Sequence, residues 1–292
     1  MDVIESPEGF RRACEKARSP GAVVGFVPTM GALHQGHARL LGQARQDCSF
    51  VATSIFVNPL QFNSPTDLAA YPRTLERDLA QVASLGVDVA FVPTEDEMYP
   101  GGGPEVSIDP GPLGERLEGA SRPGHFRGVL TVVAKLFNLV GPSWAYFGEK
   151  DAQQLTLVRR MVASLDVPVT VVSCPTVREP DGLAISSRNA LLSPEQRRAA
   201  PVLFEALSDA ATRARAGERN ADVLRAEIAR EIGSERLARI DYVAVVEDIT
   251  WEDIVRIEGP ARAVVAAFFG DVRLIDNLTL PVGASVHNSG DR

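Results

Sequence analysis

Hydrophobic positions recur in two alternating rhythms along the first part of this chain. Short apolar runs rich in β-branched and aromatic side chains, at 23–27, 50–57, 87–92, 144–147 and 167–172, predict strands. Helical spacing fills the intervals. After Val23 to Val27, a glycine-bearing turn leads into Leu40, Leu41, Ala44 and Cys48, which share one helix face. A helix over 75–85 follows the second strand, and Pro93 stops the third. Val129, Val132, Val133, Leu136, Phe137 and Val140 form a strongly apolar helical face that ends at Gly141-Pro142, and a further helix spans 153–164. Strands that are apolar on consecutive positions and alternate with helices imply a parallel sheet covered on both faces. Between Pro100 and Pro123 the density of Gly and Pro predicts loop.

The pattern changes after Pro175. Ser193, with Pro194 at the first helical position and Gln196 completing a capping box, opens a helix over 194–216. A second helix spans 221–232. Strand-like runs follow at 240–246 and 263–269, and Gly270-Asp271 turns the chain into a last run at 272–280. The expected architecture is α/β, with a parallel-sheet domain over 1–176 and a smaller α+β domain over 177–292. The polar tail from Gly283 is expected to be disordered. No internal repeat is visible.

With 292 residues, 45% hydrophobic and 23% charged, the chain fits an ordinary globular protein long enough for two domains. No apolar run reaches the roughly 20 residues of a bilayer span, and the first residues lack a secretory pattern, so no membrane partner and a cytoplasmic location are expected. Cys14, Cys48 and Cys174 show neither disulfide nor metal spacing and read as reduced core thiols. The net charge of -8 argues against a nucleic-acid partner. An anionic ligand must therefore be met by a local site.

Three segments fall at predicted strand ends, where ligands of open parallel sheets bind. The first is Met30-Gly31-Ala32-Leu33-His34-Gln35-Gly36-His37. Gly31 and Gly36 let backbone approach a ligand, the helix start offers N–H groups, and His34 and His37, three apart, can face one phosphate and donate hydrogen bonds to it. Neither GxxxxGK[ST] nor GxGxxG occurs. The second segment is Gly148-Glu149-Lys150-Asp151, which brings an ammonium to the same edge; alone it would read as a solvated turn. The third, Ile185-Ser186-Ser187-Arg188-Asn189, is a short loop that could close over a triphosphate; alone it would read as a polar connection. Gln61 and Gln154 could hold a hydroxylated or carboxylate substrate, although capping would account equally for such residues. His125 lies in a basic loop, either meeting an anion or simply solvated, and Lys135 reads as a snorkelling side chain.

Together with Ser54 to Phe62, Tyr71-Pro72-Arg73-Thr74, Gly124 to Val129, Gln153-Gln154-Leu155 and Asp181 to Asn189, these motifs run in fixed order almost to Asn277. The chain resembles the pantothenate synthetase family of HIGH-type nucleotidyltransferases. The resemblance implies a Rossmann-like first domain, a second domain closing over the active site, a homodimer, and a two-step reaction consuming Mg2+-ATP. Pantoate's carboxylate would attack the α-phosphorus to give pantoyl adenylate and pyrophosphate, and β-alanine's amine would displace AMP. By the same resemblance Met30 to His37 binds ATP, His34 and His37 stabilise phosphate charge with His37 as proton donor, and Gly148 to Asp151, chiefly Lys150, together with Ile185, Ser186, Ser187 and Arg188, line the phosphates. Val177 meets the adenine side through its backbone, and Gln61 and Gln154 orient pantoate. The chain departs from the expected pattern at Ala152 and at Arg77. Arg77 stands where an acidic partner for Asp78 is expected, so no protein ligand for magnesium is assigned and Asp78 would act through water.

Two rivals stand beside this reading. One is an adenylyl- or cytidylyltransferase with the same turn, the other a nucleotide-binding regulator without turnover. The amides and the Ser-Ser-Arg segment favour the ligase.

Overall fold

A computed structural model describes residues 1–18 and 21–281, so the tail expected to be disordered lies outside the described residues. The chain divides into two compact units. The first comprises Met1–Val177 with Ile185–Ser187; the second takes Arg178–Ala184 and the chain from Arg188 on.

The first unit opens with strand β1 (Asp2–Ile4) and helix α1 (Pro7–Ala17), which the apolar pattern does not announce. Local chemistry starts the helix: Ser6 caps it by accepting the Gly9 N–H at 3.2 Å, and Pro7 occupies the first position. Phe10 then stacks on Phe91 with centroids 4.6 Å apart. The chain continues through β2 (Val24–Thr29), α2 (Gln35–Asp47), β3 (Phe50–Ile55), α3 (Pro65–Ala70), α4 (Leu75–Ser84), β4 (Val89–Phe91) and α5 (Glu95–Met98). It then passes through α6 (Glu118–Ser121), α7 (His125–Val140), β5 (Ser143–Gly148), α8 (Ala152–Ser164) and β6 (Val169–Cys174). The strands form one parallel six-stranded sheet in the order β1-β4-β3-β2-β5-β6. The architecture is the expected Rossmann-like sheet flanked by helices.

The segment 100–123, expected as loop, contains a 3-10 turn at Pro112–Glu115 and the short α6. A distant side chain accounts for the difference. Buried Gln153 of α8 donates to Leu113 O at 2.9 Å and Arg116 O at 2.8 Å and accepts from Glu118 N–H at 3.2 Å. Those bonds join residues more than 30 apart, which local pattern cannot foresee.

The second unit holds α9 (Pro194–Ala199), α10 (Val202–Arg215), α11 (Ala221–Ser234) and an antiparallel sheet of β7 (Ala238–Glu247), β8 (Ala261–Phe269) and β9 (Val272–Leu280), in that order. The single helix expected over 194–216 is broken at Ala200-Pro201. Proline there has no N–H to continue the ladder and crowds the preceding turn. One face of the sheet packs Val245, Ala263, Val265 and Phe269 against Leu203, Leu207, Leu224 and Ile228 of the helices. Gly270, at φ +61°, makes the expected turn between β8 and β9.

In the first unit, α7 meets the 3-10 turn Pro59–Gln61 so closely that a Cβ on Gly128 would lie 2.2 Å from Leu60 O. Alanine would gain at most about 1 kcal/mol of helix propensity, while overpacking against backbone costs about 1–3 kcal/mol. Gly128→Ala is therefore expected to destabilise the chain; a urea midpoint equal to or above that of the parent would contradict this close approach.

Candidate functional site

In an open parallel sheet the ligand crevice lies beyond the carboxyl ends of the strands, where their order reverses. Here the reversal falls between β2 and β5. These strands pair only at Gly25 with Trp144 and Phe26 with Ala145, then separate. The separation also tolerates Pro28, whose missing N–H would be a defect between two fully paired neighbours. β2 runs into the turn Met30 to His37, and β5 into a 3-10 turn, Glu149–Asp151. The histidines and Lys150 thus reach adjacent strand ends.

The turn is held by a chain of hydrogen bonds. Buried Thr29 donates from Oγ1 to Ser54 O at 2.7 Å and accepts from Gly31 N–H at 3.2 Å. Gly31 (φ +79°) and Ala32 (φ +50°) are both left-handed, a conformation that suits glycine and costs alanine. Asp78 of α4, 1% exposed, accepts from Ala32 N–H and Leu33 N–H at 2.9 Å each and from Thr74 Oγ1 at 3.2 Å. Its two oxygens are thus turned to the backbone of the turn.

His34 is the N-cap of α2, with its Nδ1 accepting the Gly36 N–H at 3.1 Å. Reciprocally, the His34 N–H points to His37 Nδ1 at 3.4 Å, and the two rings stack with centroids 4.1 Å apart. Gly36 is needed beneath them, since a Cβ would stand 2.8 Å from His34 Cε1. The N–H groups of Gly31, Ala32, Leu33, His34 and Gly36 therefore all have partners within the chain. The donors this turn presents outward are side chains more than backbone.

Their protonation follows from the same bonds. Each Nδ1 accepts, so in each neutral ring the proton sits on Nε2, leaving two Nε2–H donors side by side. The His34 pKa is pushed down to about 4, first by burial and then by Lys150, with Asp151 opposing. That of His37 falls to about 3, through burial, then His34, with a smaller push from Lys150 and opposition from Asp151. Both rings are neutral at pH 7. Positive charge comes instead from Lys150, a mostly buried side chain whose Nζ lies 3.5 Å from Asp151 Oδ1.

Gln61 ends its 3-10 turn with a buried side chain. Asn58 Nδ2 donates to its Oε1 at 3.1 Å and to Gly128 O at 3.1 Å, and Tyr99 donates to Asn58 Oδ1 at 2.9 Å. The Gln61 amide nitrogen has no partner among the described residues. His125, expected in a loop, is instead the buried first residue of α7. Its Nδ1–H donates to Gln61 O at 2.8 Å, Arg122 donates to the same oxygen at 3.1 Å and to His125 Nε2 at 3.2 Å, and burial, then Arg122, push its pKa down to about 4. Both ring nitrogens are occupied, so this histidine supports Gln61 and neither meets an anion nor lies in solvent.

Gln154 and Gln153 are consecutive on α8 and do opposite things. Gln153 is saturated in the core, whereas the half-buried Gln154 amide has no hydrogen bond among the described residues. Lys135 sets its ammonium 5.8 Å from the Tyr99 ring centre. Val177 O accepts from Ile185 N–H at 3.0 Å. Ser186 and Ser187 follow in the first unit, Arg188 counts with the second, and Ser187–Leu191 is a 3-10 helix where a loop was expected. Asn58, the hold of Asp78 on the turn and the supporting role of His125 escaped sequence reasoning. Their only local signals, an acid in the first turn of a helix, an asparagine before a proline and a histidine after a glycine, are too common to discriminate.

Residues 2–279 match the family model described as pantoate-beta-alanine ligase. A pantothenate synthetase of Chloroflexus aurantiacus is 53% identical over 281 residues, covering 96% of this chain and 98% of the relative. That of Rubrobacter xylanophilus is 49% identical over 286 residues, covering 96% and 98%. The crystal structure of pantothenate synthetase from Thermus thermophilus superposes with a TM-score of 0.88 at 48% identity, covering 95% of this chain and 99% of that one. The pantoate-beta-alanine ligase of Francisella tularensis, complexed with beta-gamma ATP and beta-alanine, superposes with a TM-score of 0.78 at 36% identity, covering 95% and 97%.

Because the folded pKa values of His34, His37 and His125 lie below the unfolded value near 6.5, the unfolded chain binds protons first as pH falls. Stability carried by the neutral rings is complete above about pH 6.5 and is lost on descent towards pH 3 to 4. Urea midpoints should fall through that window while the three imidazole NMR signals stay neutral to below pH 5. A signal titrating near 6.5 would show that its ring is not held as described.

Proposed function

The chain belongs to the pantoate–β-alanine ligase family, and we propose that its histidine turn, Lys150 and two amides share the work of that reaction as follows. The enzyme condenses pantoate with β-alanine at the expense of ATP, and the match over nearly the whole chain sets aside both the transferase and the regulator. A pantoate carboxylate oxygen attacks the α-phosphorus, and pyrophosphate leaves with the electron pair of the broken P–O bond. The amine of β-alanine then attacks the acyl carbon of the adenylate, AMP leaves with its oxygen, and the new amide nitrogen loses a proton.

Both steps need positioning and stabilisation of developing charge more than a protein nucleophile. The observation that carries the assignment is the pair of Nε2–H donors on His34 and His37. Neutral donors strengthen their bonds as phosphate charge grows, without a proton having to move. In this reading His37 acts through its hydrogen bond, and its low pKa argues against a resident proton ready for transfer. Lys150 supplies the compensating positive charge. The Gln61 amide nitrogen and the Gln154 amide, uncharged and without partners among the described residues, orient pantoate without neutralising the carboxylate that must attack. Met30 to His37, Gly148 to Asp151, Ile185, Ser186 and Ser187 line the phosphates, and Val177 meets the adenine side.

Magnesium enters this proposal on the nucleotide. Mg2+ is commonly held by substrate phosphates and water; among the described residues no group of three or more His, Cys, Asp or Glu side chains is gathered for a metal, and the Asp78 oxygens face backbone donors. A homodimer and a cytoplasmic location belong to the same proposal. Among the described residues no helix is long and apolar enough to cross a membrane.

AMP formation is expected to depend on pantoate and β-alanine together, whereas ATP–pyrophosphate exchange should need pantoate alone. His37→Ala removes a charge-assisted contact, which costs about 1.5–3 kcal/mol or roughly 10- to 100-fold in exchange rate. Gln61→Ala should raise the pantoate KM and leave that of ATP near the parent value. Undiminished exchange in His37→Ala would sink the role given to the histidine pair.

A further inference from the structure

We propose that Asp78 is a positioning residue for the ATP site: its buried carboxylate holds the histidine turn in its active geometry without touching nucleotide or metal. The inference rests on the turn being the phosphate site. A carboxylate that is 1% exposed pays desolvation, and beside a polyanion it adds repulsion. Its retention needs a cause that outweighs both. The hydrogen bonds supply one, with Oδ1 accepting from Leu33 N–H and Oδ2 from Ala32 N–H and the Thr74 hydroxyl.

No uncharged side chain reproduces this pattern. Asparagine has one oxygen for the two backbone donors, and its NH2 would confront the other N–H. The two anchored peptides are those that set the site. Ala32 is held at φ +50°, which alanine adopts only at a cost, and Leu33 immediately precedes His34, whose N–H and ring fix the His37 ring in turn. Gly31 completes the fit, because a Cβ there would press on Asp78 Oδ2 at 3.0 Å. Loss of the carboxylate should therefore disorder two imidazoles that it never contacts.

The test uses the full-length chain with Asp78→Asn, measuring KM and kcat for each substrate, the Mg2+ dependence at saturating ATP, thermal midpoint, and imidazole nitrogen NMR shifts without substrate. The ATP KM is expected to rise about tenfold or more, the pantoate KM to stay within about twofold of the parent, and the His34 and His37 shifts to leave the pure Nε2–H values. Mg2+ half-saturation should be unchanged. A shifted Mg2+ dependence with intact imidazole signals would assign Asp78 to the cation instead. A lowered thermal midpoint with parental kinetics and shifts would make it merely structural, and a lower ATP KM would reduce it to a source of repulsion. Should Asp78→Asn not fold, Thr74→Val and Thr74→Ser decide: valine should produce the same changes more weakly, serine should restore the parent, and parental behaviour of the valine variant would overturn the proposal. Absence of AMP formation in the parent would strike the phosphate-site reading itself and leave the imidazole result standing.

Discussion

The arrangement of this site depends on the brief pairing of β2 with β5. The strands share a register at Gly25 and Phe26 and then part, so two loops far apart in sequence emerge side by side with a gap between them. A longer ladder would have closed the gap and placed an unpaired proline neighbour inside the sheet. Parallel strands cannot be joined by a tight turn, so each strand end here is followed by a loop and a helix, and the reversal of strand order leaves one crevice uncovered.

The site proposed in that crevice poses an electrostatic problem. A triphosphate calls for positive charge, but permanent charges on both histidines would repel Lys150 and would be opposed by burial. Burial keeps the rings neutral, and capping chooses the tautomer. The result is one fixed cation and two polarised N–H donors. Helix capping is usually a matter of stability alone; here the cap residues are also the candidate ligands, so fold and site share the same two rings, one nitrogen of each for the cap and the other left for the site.

The amides show how burial divides similar side chains. Gln153 and Gln154 are adjacent, yet one knits residues 113–118 to α8 and the other keeps its amide unengaged. Gln61 lies between these cases, with its oxygen and backbone carbonyl held by Asn58, Arg122 and His125 while its amide nitrogen is not. A glutamine clamped at one end and unengaged at the other is well suited to orient a substrate, since little freedom remains to be lost on binding.

By itself the sequence determined the elements whose cause is local. The apolar runs of β2, β3 and β5, the helical face of α7, the Ser193 capping box and the Gly270 turn all follow from side-chain period or backbone freedom within a few residues, and the spacing of His34, Gly36 and His37 already singled out the turn that opens α2. Tertiary structure decided whatever depends on partners distant in the chain. Asp78 lies 45 residues from Leu33, His125 lies 64 from Gln61, and Gln153 lies 35 from Glu118. Only folding brings such donors to their acceptors. For that reason periodicity could place His125 no better than in a loop, and could not foresee that the N–H groups of Gly31, Ala32, Leu33, His34 and Gly36 would find partners within the chain.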